Sequence, residues 1–101
     1  MNEFLICEIM KEIKTFFEGI AEDSRIGPVH VSLYMGLFYC WMKNAFEEPL
    51  YFNSIVIMHA AKISSRATYT KCIKDLHAFG YICYASSNNP YYGGTVYLRN
   101  K

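Results

Sequence analysis

The sequence predicts a mainly α-helical domain closed by a small β-hairpin, and three observations predict it. Apolar residues recur at three- and four-residue spacing in three segments between residues 3 and 79. The last of these segments halts at Gly80, a residue that adopts a left-handed helix stop at little cost. Beyond it, YICYAS and TVYLR alternate in period two on either side of SNNPYYGG, a loop rich in turn formers. The expected order is helix, helix, short strand, helix, helix, hairpin. A chain of 101 residues is long enough for one core, but not for a core plus an enclosed cleft of the usual enzyme size.

The first helix is expected over residues 3 to 22. Ile6, Ile9, Ile13, Phe16 and Ile20 form a narrow apolar seam, with Glu8, Glu12, Lys14, Glu18 and Glu22 largely around the other side. Such a seam can lie on its own domain or pair with a second chain, and the sequence leaves both open. DSRIGP breaks the pattern, so residues 1–27 read as an amphipathic helix with its linker and residues 28–101 as the domain proper. Pro28 suits a first helical turn, because the amide it lacks would be unpaired there anyway. In HVSLYMGLFYCWMKNAF, Leu33, Leu37 and Trp41 lie on one line and Tyr34, Phe38 and Met42 on the next, which predicts a central core helix anchored by Trp41.

EEPL is a turn. In YFNSIVIMHAAK, Ile55, Val56 and Ile57 by themselves favour a strand, but a cap at Asn53 or Ser54, the helix formers His59 to Lys62 and the tight connection that follows select a brief extended segment at 51 to 53 and then a short helix. The next helix starts two or three residues beyond Lys62, the tight connection a helix-turn-helix requires, and Ile63 is the residue expected to be buried in that turn. The stretch SSRATYTKCIKDLHAFG carries the fourth helix, from about Ser65 to Phe79. Ser64 or Ser65 caps it. Tyr69, Cys72, Ile73 and Leu76 form its packing face, and Arg66, Thr70 and Lys74 form a separate outward line beside Ala67, Lys71 and Ala78.

Charge is divided along the chain. Residues 1 to 61 hold four basic and eight acidic groups, whereas residues 62 to 101 hold six basic groups against the single Asp75. This favours an acidic half facing solvent or protein and a basic half facing a polyanion. Nine tyrosines exceed what packing needs, and tyrosine suits a surface that is apolar at one end and wet at the other. Cys7, Cys40, Cys72 and Cys83 include no CxxC pair, so no metal site is expected and each cysteine reads as a small buried hydrophobe. MNEFLICEIMKEIKTFF has glutamates and lysines spread through it, with no export signal or membrane span, and with free thiols this indicates the cytoplasm.

Three segments, HVSLYMGLFYCW at 30 to 41, KISSRATYTKCIKDLHAFGYICY at 62 to 84 and NPYYGGTVYL at 89 to 98, resemble the small winged helix-turn-helix proteins of Bacteroidetes plasmids, phages and integrative elements. That group includes replisome-organiser domains and transcriptional regulators. The resemblance implies a winged helix-turn-helix with an additional N-terminal helix, the helix at Ser64 or Ser65 as the recognition helix in a major groove, and Asn88 to Gly94 as the wing. The residue chemistry agrees. Ser64, Ser65 and Thr68 can bind phosphate at a helix start. Arg66 is suited to a paired contact with guanine, and Lys71 and Lys74 to phosphate. Thr70 can meet a phosphate, a base edge or a thymine methyl, and Lys62 can reach the backbone from the turn. The wing carries no lysine or arginine, so Tyr91 and Tyr92 are its candidates, for nucleic acid or for protein.

The leading expectation is sequence-specific double-stranded DNA binding, as a dimer, in transcription regulation or replication of a mobile element. The alternative is a protein-interaction module on the same scaffold. Catalysis is not expected: His30, His59 and His77 stand in structural settings, no cysteine has a base at same-face spacing, and there is no phosphate loop, carboxylate cluster or cofactor motif.

Overall fold

The computed structural model describes residues 3–86 and 94–98. Its elements run α1 (Glu3–Ala21), α2 (Pro28–Lys43), β1 (Leu50–Phe52), α3 (Ser54–Ala61), α4 (Arg66–Ala78), β2 (Cys83–Ala85) and β3 (Gly94–Tyr97). The fold is mainly helical with a small antiparallel sheet, consistent with a winged-helix-like arrangement.

α2 is the core of the domain. It starts at Pro28, and its cap is unusual: Gly27 has no side chain to offer, so the ring of His30 accepts the Gly27 amide proton at Nδ1, 2.9 Å away. Leu33, Tyr34, Leu37, Phe38 and Trp41 are all buried. Trp41 is fully enclosed and meets Phe38 and Phe46 edge to face, with ring centroids 5.5 and 5.0 Å apart. Met42, expected on the second core line, is exposed instead, as are Met35 and Tyr39. The helix is apolar almost all round, but neighbouring elements cover only part of it.

α3 packs on α2 at close range because Gly36 leaves room. A Cβ at Gly36 would lie 2.9 Å from that of Ala61 and 3.1 Å from its Cα. The Ser32 hydroxyl donates to the Ala61 carbonyl beside this contact.

The extended segment expected at 51 to 53 forms β1 and adds a third strand. β3 lies in the middle of the order β1-β3-β2, with Leu50 opposite Val96 and Tyr84 opposite Val96 on the other side. Leu50 and Phe52 turn inward and Tyr51 outward, the alternation a half-buried strand requires. Gly80, at φ +88°, ends α4 as expected and turns the chain towards β2.

α1 lays Ile9 and Phe16 into the same core, with Phe16 stacked on Tyr34 at 3.7 Å between centroids. Ile13 and Ile20 are half-buried. Ile6, expected in the seam, is exposed on the side that also carries Met10 and Phe17. The connection to α2 is tied to the far end of α4. The Tyr81 hydroxyl donates to Asp23 at 2.6 Å, Arg25 makes a two-pronged contact with the same carboxylate, and its guanidinium lies 3.9 Å over Phe79. Arg25 and Tyr81 hold the Asp23 carboxyl well below the usual carboxylate range.

The cysteines correct one expectation. Cys72 is buried and Cys40 half-buried, but Cys7 and Cys83 are exposed. Cys7 precedes the buried Ile9 by two positions, which turns it off the packing line of α1. Cys83 lies on an edge strand whose alternate residues are not enclosed. No helix among the described residues is long and apolar enough to cross a membrane.

Candidate nucleic-acid interface

The turn between α3 and α4 sets the geometry of the site. Lys62 ends α3 in the left-handed region, at φ 61°, and its amide donates to the His59 carbonyl. The Ile63 amide donates to the Met58 carbonyl at 2.9 Å, and its side chain is buried as expected. A lysine in this conformation is strained by about 1 kcal/mol relative to glycine. The turn holds it there with its ammonium in solvent.

Ser65 caps α4, its hydroxyl oxygen accepting the Thr68 amide proton at 3.2 Å, so Ser64 lies just outside the helix and is exposed. Tyr69, Cys72, Ile73 and Leu76 are buried, the packing face the spacing predicts. Arg66, Ala67, Lys71 and Lys74 are exposed on the other side, with Thr68 and Thr70 half-buried. Lys62, Ser64, Ser65, Arg66, Thr68, Thr70, Lys71 and Lys74 are therefore contributed by one turn and one helix. Tyr91 and Tyr92 lie outside the described residues.

The outward cations differ in how they are held. Asp75 is the only acid on α4. Its Oδ2 accepts from His30 Nε2 at 2.8 Å and from Lys71 Nζ at 2.9 Å. Because His30 Nδ1 already accepts the Gly27 amide proton, Nε2 must carry the ring proton and donate to Asp75. His30 first, and Lys71 second, lower the Asp75 pKa, and the carboxylate in turn raises that of Lys71. Lys71 thus stays protonated, with its charge partly offset in the free protein by the Asp75 carboxylate. Lys62 and Lys74 have no ion-pair partner among the described residues. Arg66 Nη1 donates to the Ser54 hydroxyl at 2.6 Å.

Burial pushes the Tyr69 hydroxyl pKa up, so this ring is a neutral core group and no acid. His77 joins α4 to the sheet by accepting the Tyr84 amide proton at 3.0 Å. This is the structural setting expected for it near the hairpin.

Sequence reasoning missed two participants. The Lys71–Asp75 pair sits at a four-residue spacing that is visible in the sequence, but Ser54 and His30 reach α4 from 12 and 45 residues away, and no local pattern marks them. No protein family, curated protein or solved structure matches this chain.

Proposed function

We propose that this protein binds double-stranded DNA in a sequence-specific manner, with α4 in the major groove and the α3–α4 turn against the backbone. One observation carries the reading. α4 is capped, packed on one side and lined on the other by cations, and its single acid is already engaged by His30 and Lys71. A helix exposed in this way at the end of a tight turn presents charge to phosphate and side chains to base edges. The resemblance of residues 62 to 84 to winged-helix proteins of mobile elements supports a role in their transcription or replication. The outward apolar side of α1, with Met10 64% and Phe17 44% exposed beside Ile6, supports pairing of two copies through that helix. A two-fold pair would address two half-sites about 34 Å apart or a multiple of that.

A second reading, a protein-interaction module, draws on the same α1 side and on exposed Tyr39, Tyr51, Ile55 and Val56. Titration of fluorescent random-sequence duplex across a salt series, with chain mass followed by light scattering, separates the two. Binding with a log–log salt slope of several units supports the DNA reading. No binding at low salt puts the interaction module first.

A further inference from the structure

Arg66 occupies the first position of α4, where an arginine that reads a base needs its guanidinium beyond the outer edge of the helix. The side chain does not point that way. Its Nη1 lies 2.6 Å from Ser54 Oγ, and its Cζ is 5.9 Å from the centre of the Tyr69 ring. Ser54 is the first residue of α3. The arginine therefore runs back along the surface, over its own helix and across the turn, to the helix before it. In a helix-turn-helix, that earlier helix is the one that crosses the phosphate backbone.

We infer that Ser54 is a positioning residue that holds Arg66 over the phosphate backbone, so that this arginine grips phosphate and reads no base. The inference rests on the DNA-binding reading and revises the guanine contact expected of Arg66. Ser54 is free to do this because Asn53, whose Oδ1 accepts the Ile55 amide proton at 2.8 Å, caps α3 in its place. In accepting from Arg66, the Ser54 oxygen keeps its own O–H to donate outward. The guanidinium keeps Nε and Nη2 without another hydrogen-bond partner among the described residues, the fork that fits two oxygens of one phosphate. Base reading then falls to Thr70, the next residue along the outward line of α4, with Lys74 beyond it on phosphate.

The test compares the wild-type chain with Arg66→Ala, Ser54→Ala and Ser54→Thr on two duplexes, one selected from a random pool and one a scrambled version of it, across a salt series. Both sites are on the surface, and thermal melts confirm that each variant is folded. Arg66→Ala is expected to weaken both duplexes by one common factor, roughly tenfold, and to reduce the salt slope by about 0.9. Ser54→Ala is expected to weaken both by a smaller common factor, and Ser54→Thr to restore binding, since threonine keeps the hydroxyl. A purely structural serine would not move the salt slope. Loss confined to the selected duplex in Arg66→Ala overturns the inference, because the arginine then reads a base. So does a Ser54→Ala protein that binds like wild type while Arg66→Ala is weakened. If the wild-type chain binds neither duplex, the DNA-binding reading itself falls and takes this inference with it.

Discussion

Replacing Asp75 with asparagine separates the stabilising role of this carboxylate from its effect on the basic face. The amide can still accept from His30 Nε2, now 2.8 Å from the carboxylate, but the bond loses its charge. A hydrogen bond to a charged group is worth about 1.5–3 kcal/mol and a neutral one about 1 kcal/mol, so the expected loss is about 1 kcal/mol. For a chain of this size that lowers the melting temperature by about 4–8 °C. The Lys71 side of the network is 72% exposed and adds little to stability. Its consequence is for binding. Asp75→Asn releases Lys71 for one more phosphate, so the log–log salt slope should steepen by about 0.9, and the advantage over wild type should shrink about 3.5-fold between 50 and 200 mM salt. The acid limb changes too. Asp75 is held below its ordinary value of 3.8, so its contribution is fully present above about 3.8 and is lost as pH falls through the lowered value. In the variant, stability should fall less steeply over that window. Denaturant melts between pH 2 and 7, paired with DNA titrations at pH 7, give all three readings. A variant with an unchanged salt slope would refute the claim that Asp75 restrains Lys71 at the interface.

Three further outcomes are expected. Lys62→Gly should raise stability by about 0.5–1 kcal/mol, because glycine relieves the left-handed strain at φ 61° at some entropic cost of its own. The same change should weaken DNA binding and flatten the salt slope by about one, and a stabilised protein with unaltered binding would remove Lys62 from the interface. Gly36→Val should cost about 2 kcal/mol in urea denaturation, since its Cβ falls against Ala61 backbone that cannot easily yield. Ala61→Gly in that background should recover part of the loss. Met10→Glu, on the outer side of α1, should leave thermal stability nearly unchanged and lower the mass seen by light scattering, and an unaltered mass would place any self-association elsewhere.

Much of the fold was legible because its signals are local. The packing face of α4 follows from 3.6-residue periodicity, the cap at Ser65 from a hydroxyl one residue before the helix, and the stop at Gly80 from the tolerance of glycine for positive φ. β1 was harder. Ile55, Val56 and Ile57 favour a strand, and only the packing of α3 against Gly36 on α2 makes them helical. The exposure of Cys7, Cys83, Ile6 and Met42 was not legible either, because an apolar neighbourhood in sequence does not say which element lies over it.

The candidate site divides in the same way. The sequence by itself determined which residues line the outward side of α4 and that positive charge gathers in the second part of the chain, since helical spacing and composition are properties of consecutive residues. Only the tertiary structure decided how those charges are held. It brought His30 from α2 to Asp75, left Lys62 and Lys74 without a carboxylate partner among the described residues, and drew Arg66 back to Ser54 at the start of α3. Hydrogen bonds and ion pairs act over about 3–4 Å, and which distant residues come within that range depends on how the helices cross. No spacing in the sequence records it.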